Sequence, residues 1–123
     1  MRNLSFSLTK DSFLNGTKDV TRRYWKEAWV KPGDHMMGVE KAQGLKKGEK
    51  IVRLGEIEIL EIAPERVDEI ILHPLRHKGN GKSEMVREGF PAFTPERFVE
   101  FFCRANKVTP DTIIYRLGFR HVE

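Results

Sequence analysis

The sequence has one cysteine, Cys103, in 123 residues, so an internal disulfide is excluded and a reducing compartment is expected. It contains no paired-cysteine pattern, no H-E-x-x-H and no phosphate-binding glycine loop, which removes the commonest zinc and nucleotide triphosphate signatures. Of the four histidines, only His73 and His77 have ligand-like spacing, and Pro74 between them breaks the helix that would align both. No metal and no cofactor is therefore expected. No apolar run approaches the length of a membrane span, and Met1 to Leu8 lacks the apolar stretch of a signal peptide. Internal repeats and domain linkers are also missing. The expectation is a single cytoplasmic domain over residues 1–123.

What is present is enough apolar material for a modest core: 39% hydrophobic residues, eight of them phenylalanines. A formal net charge of +4 favours an anionic partner only mildly, because 18 acidic residues accompany the basic ones.

Leu4, Phe6 and Leu8 alternate with polar residues and predict a first strand. Thr9 is placed to cap a short helical turn from Lys10 to Asn15, which Gly16 would end at positive φ. A strand is expected from Val20 to Trp25, then a linker, and Pro32-Gly33 suits a type II turn. Another strand follows at Met36 to Glu40, and Lys41 to Lys50, with four lysines, reads as an exposed loop. Ile51 to Ile62 is the longest β pattern, but its apolar phase changes twice. Val52 and Leu54 share one face, Ile57 and Ile59 the other, and Leu60 and Ile62 revert, which predicts bulges or a bend, the first near Gly55. Pro64 is expected to end that strand, and Val67 to Leu72 reads as either a helical turn or a short strand. His73 to Lys82 reads as a polar loop, solvated or in contact with phosphate through Arg76 and Lys78. Ser83 is placed to cap a helix ending at Glu88, before Gly89. Thr94-Pro95 starts a helix that reaches about Ala105 and turns Phe98, Phe101, Phe102 and Ala105 to the core. A last strand, Thr112 to Val122, would put Ile113, Tyr115, Leu117 and Phe119 on one side. Strands first, a helix late and a closing strand indicate an α+β fold.

Asn15 to Trp25 concentrates the polar chemistry. A turn delivers Lys18, and the following β-run carries Thr21, Arg22 and Arg23 and closes on Tyr24 and Trp25. Guanidiniums bind phosphate bidentately and aromatic faces stack on bases, whereas the plainer reading is one solvated basic face of a strand. The block G-x-K-x-V-T-R-R, with L-S-F-S before it and K-P-G-D after it, resembles the ASCH domain. D-E-I at Asp68 to Ile70, E-G-F at Glu88 to Phe90 and the terminal Y-R-L-G-F-R extend the likeness.

The resemblance implies a PUA-like small mixed β-barrel with flanking short helices, and a cleft that accepts RNA or a modified nucleoside. The implied nucleic-acid contacts are Lys18, Arg22, Arg23, Tyr24, Trp25, Arg76 and Lys78. Some small ASCH proteins are similar in a further respect: they remove the acetyl group from acetylated cytidine, without metal, through a lysine, a threonine and a distant glutamate. The matching positions are Lys18, Thr21 and Glu88. A ribonuclease using the same basic residues is a third reading. Lys18 and Thr21 are three apart, so a regular strand would put them on opposite faces. They meet only if Lys18 lies in the loop before the strand and folds back.

Overall fold

The computed structural model describes residues 1–77 and 81–123. Five strands form one sheet: β1 (Arg2–Ser5), β2 (Val20–Arg23), β3 (His35–Val39), β4 (Arg53–Arg66) and β5 (Ile113–His121), in the order β1-β3-β4-β5-β2. The β1–β3 pair is parallel and the others are antiparallel. The sheet is open, with β1 and β2 as its edges, and does not close into the barrel expected from the resemblance. Among the described residues four α-helices accompany it, α1 (Lys10–Leu14), α2 (Glu69–Leu72), α3 (Gly81–Glu88) and α4 (Pro95–Asn106), and a 3-10 turn over Ser7–Thr9 precedes α1.

β4 contains both phase changes that its apolar pattern calls for. Gly38 pairs with Gly55 and Val39 with Arg53, so Leu54 is the extra residue of a first irregularity; Ile59 pairs with Phe119 and Glu61 with Gly118, so Leu60 is that of a second. The result is that Ile57 and Ile59 are fully buried while Leu60 is half exposed. Pro64 does not end the strand as expected. It pairs with Tyr115 of β5, and the β3 ladder has already stopped at Glu58, so the missing N–H leaves no gap on that side.

The sheet is covered on both sides. Leu4, Phe6, Phe13, Met36, Ile57, Ile59, Leu117 and Phe119 make one core, and Val67, Ile70, Met85, Phe98, Val99, Phe102 and Ile114 make the other. Because β5 lies between the two, alternation on it does not separate inside from outside. Ile114 is buried and Ile113 exposed, the reverse of the sequence expectation at that end.

Local signals account for most of the ends. Thr94 caps α4 by accepting a hydrogen bond from the Arg97 N–H, and Lys107 closes it in the left-handed conformation. Asp34 N–H bonds the Lys31 carbonyl around Gly33 at φ 93°, as a type II turn requires. Val67 to Leu72 resolves into helix over α2. Two caps differ from expectation. Thr9 makes no side-chain cap hydrogen bond, and α3 begins at Gly81, which puts Ser83 inside the helix.

Candidate functional site

The turn at Gly16 (φ 82°) folds the chain back, and the Lys18 N–H bonds the Ser12 carbonyl at 3.0 Å. This places Lys18 just before β2, so its side chain can share the side of Thr21 despite the three-residue spacing. The amine is almost completely buried. It donates to the Val20 carbonyl at 2.6 Å and to the Glu88 carbonyl, and the Glu88 carboxylate lies 3.8 Å away. Burial is the main reason its pKa falls from 10.5 to about 8; Glu88 opposes that fall, and Arg23 and Arg22 add to it.

Lys18, Thr21 and Glu88 line one cleft of about 380 Å³. Thr21 is buried, and its hydroxyl oxygen accepts a hydrogen bond from Arg23 Nε at 3.2 Å. Arg23 in turn donates to the Ser5 carbonyl at 2.5 Å and lies over the Phe6 ring. One side chain thus ties the two edges of the open sheet, β1 and β2, across the cleft. Burial draws the Arg23 guanidinium down to about 10, against the charge of Glu88. The aromatic walls come from two places: Tyr24 and Trp25 beyond β2, and Phe90, Phe98 and Phe101 from the α4 side. Tyr24 is half exposed at the rim, while Trp25 packs against Trp29 and Tyr115.

Glu88 arrives at the C-terminus of α3, 66 residues from Arg22. Its Oε1 accepts from the Arg22 backbone N–H at 3.1 Å and its Oε2 from the Arg22 guanidinium at 2.9 Å. The same guanidinium donates to Glu65 at 2.8 Å and Glu84 at 2.6 Å. Arg116, the register partner of Arg22 across β2 and β5, donates to both oxygens of Glu84. Arg22, expected to contact nucleic acid, has a side chain with no solvent exposure, and each of its three nitrogens donates to a carboxylate. Its pKa is pushed well up, because the charges of Glu88, Glu65 and Glu84 outweigh desolvation.

Arg76 is not brought to the cleft. It is exposed, bonds Glu69 at 2.6 Å and lines a separate depression. Lys78 lies outside the described residues. Among the described residues no group of three or more His, Cys, Asp or Glu is placed to hold a metal ion, and no helix is long and apolar enough to cross a membrane.

Sequence reasoning missed Glu65, Glu84 and Arg116. The one local signal was Glu84 and Glu88 at i and i+4, which share a helix face; nothing local connects them to Arg22.

Gly89 (φ 95°) lets α3 end against Lys18: a Cβ there would fall 2.8 Å from Thr9 Cγ2 and 3.3 Å from Lys18 Cδ. Gly89→Ala is expected to cost about 2–4 kcal/mol, combining left-handed strain with overpacking. Gly16→Ala, with open space around the added methyl, should cost only about 1–2 kcal/mol. Denaturant melts of the two variants check this, and equal losses would refute the close approach.

No family model matches the sequence, and no curated protein matches it. Solved structures with the same fold include a protein of Enterococcus faecalis V583 described by the family model DUF984. It is 15% identical, with a TM-score of 0.57 over 98% of this chain and 79% of that one. Another is an ASCH domain from Lactobacillus crispatus JV V101, 14% identical, with a TM-score of 0.57 over 98% of this chain and 78% of that one. The likeness shows the fold alone: a mixed α+β arrangement shared with these two structures.

Proposed function

We propose that this chain is an ASCH-type domain whose cleft holds a nucleoside and hydrolyses the acetyl amide of acetylated cytidine. The observation that carries the reading is the meeting of Lys18, Thr21 and Glu88 in one aromatic-walled cleft of nucleoside size, with the lysine buried.

In its neutral form the Lys18 amine has two N–H donors and one lone pair. The Val20 and Glu88 carbonyls accept the two donors, which leaves the lone pair as a base. That lone pair takes the Thr21 hydroxyl proton as the oxygen attacks the acetyl carbonyl. The Arg23 N–H already directed at the Thr21 oxygen favours the developing negative charge. Collapse breaks the C–N bond; Lys18 returns the proton to the departing amine and cytidine leaves. Lys18 then takes a proton from water as the water oxygen attacks the Thr21 ester, and returns it to the Thr21 oxygen as that C–O bond breaks; acetic acid leaves and ionises to acetate. A carboxylate offers about four lone-pair sites, so Glu88 can accept from the cytosine amine while still bonded to Arg22.

Hydrolysis of a small ligand is favoured over an open RNA track because the cleft cations are engaged internally. Lys18 and Arg22 are buried, and Arg23 is half-buried and fixed by Thr21 and Ser5. An RNA-binding module would instead show steeply salt-dependent affinity and no turnover.

The test is release of cytidine from acetylated cytidine by wild type, Lys18→Ala and Thr21→Ala. Turnover by wild type alone is expected. No turnover by a folded wild type would reject the hydrolase. The kcat/KM profile carries a second expectation: the base must be neutral, so the rate should rise about tenfold per pH unit below Lys18's pKa of about 8 and level off above it. A profile flat from pH 6 to 9 would rule out Lys18 as the base.

A further inference from the structure

A second concavity, of about 410 Å³, is lined by Arg76, His77, Arg87 and Arg116 together with Asp19 and Glu61. Cationic groups reach it from three places: the segment after α2, helix α3 and strand β5. We propose that it is a binding site for a phosphate-type oxyanion, which the Glu61 carboxylate occupies in the unliganded protein.

Arg116 is nearly buried, and two of its nitrogens are fixed inward on Glu84. Its Nη1 points outward and donates to Glu61 Oε1 at 2.6 Å. The arrangement already holds one oxyanion group in hydrogen-bonding geometry. Gly118 permits this: a Cβ there would lie 2.9 Å from Glu61 Oε1, so only glycine lets the carboxylate lie against the sheet. The Glu61 side chain is nonetheless 61% exposed. An ion pair with so exposed a member is weak, so a stronger acceptor can displace it at little cost.

Two further guanidiniums border the same space. Arg87 donates to Asp19 at 2.8 Å and Arg76 to Glu69 at 2.6 Å, each making one side-chain hydrogen bond among the described residues. A guanidinium has five N–H donors in a planar fork, the geometry that phosphate oxygens accept. A phosphate with two or three oxygens available matches this array better than one carboxylate does.

Thermal melts with inorganic phosphate, against chloride at equal ionic strength, test the site. Wild type is expected to gain stability with a saturating phosphate dependence. Glu61→Gln removes the resident competitor and should lower the apparent Kd for phosphate roughly fivefold. The Arg76→Gln/Arg87→Gln double variant, which changes one exposed and one half-buried guanidinium, should raise it more than tenfold. Glycerol phosphate serves as the second probe: a shift with both ligands indicates a monoester site, and one with inorganic phosphate alone a site for the free ion. Equal effects of phosphate and chloride, or phosphate shifts that neither variant alters, would overturn the proposal.

Discussion

Lys18→Met is expected to lower turnover of acetylated cytidine by about 10²–10⁴-fold, the usual contribution of a positioned base, while the protein stays folded. The separation of the two effects follows from the burial. A folded pKa of about 8 against 10.5 in the unfolded chain means that folding disfavours the ammonium. Below pH 8 the unfavourable contribution is fully present, about 3 kcal/mol; it fades as pH rises from 8 to 10.5. Methionine removes that term and fills a similar volume. It also leaves the Val20 and Glu88 carbonyls without their donor, at about 1–3 kcal/mol each. The terms offset, so the melting temperature should move by only a few degrees at pH 7. The variant's stability should also lose the upward trend between pH 8 and 10.5. A folded Lys18→Met protein that turns over substrate at the wild-type rate would remove Lys18 from the reaction.

Arg22→Met should be among the most destabilising single substitutions. It leaves Glu65, Glu84 and Glu88 buried without the group that neutralises all three. Breaking a buried ion pair by removing one partner costs about 3–5 kcal/mol, a large part of the 5–15 kcal/mol that holds a domain together. The expected result is a melting temperature lower by roughly 10–20 °C, or no cooperative melt at pH 7. Its pH dependence provides the sharper reading. Desolvation opposes ionisation of Glu84, but the Arg116 hydrogen bond and the charges of Arg22 and Arg116 outweigh it and hold its pKa at about 2. In wild type that carboxylate contributes stability above about pH 4.5, which is lost as pH falls towards 2. In Arg22→Met the uncompensated carboxylates should prefer to be protonated, so mild acid should stabilise the variant where it does not stabilise wild type. Adding Glu65→Gln and Glu84→Gln should recover part of the loss. Urea melts from pH 7 to pH 4 decide the matter, and a variant with wild-type stability throughout would show that the ion cluster contributes nothing.

The two variants show how the site is built. Burial lowers the pKa of Lys18, and behind it a second set of buried charges is paired internally. Arg22 is next to Thr21 in sequence but serves the interior, holding Glu88 by backbone N–H and guanidinium together.

Short-range chemistry was legible in the chain. The apolar phase of Ile51 to Ile62 changes twice, calling for bulges or a bend, and the register shifts twice, at Leu54 and Leu60. Thr94-Pro95 opens α4, and the turn at Gly16 returns Lys18 towards the base of β2. These are decided within a few residues by φ preferences, caps and side-chain alternation. Which carboxylates would neutralise Arg22, whether β1 and β2 would meet, and which face of Ile113-Ile114 would be covered depend on contacts between residues tens of positions apart. Alternation cannot report on a strand covered on both sides, and a basic run reads the same whether its charges face water or buried glutamates. The sequence by itself determined most of the elements, the opening of α4 and the turns at Gly16 and Gly33. Only the tertiary structure decided that Lys18, Thr21 and Glu88 share a cleft while Arg22 does not face solvent, because burial and charge pairing are properties of neighbours in space.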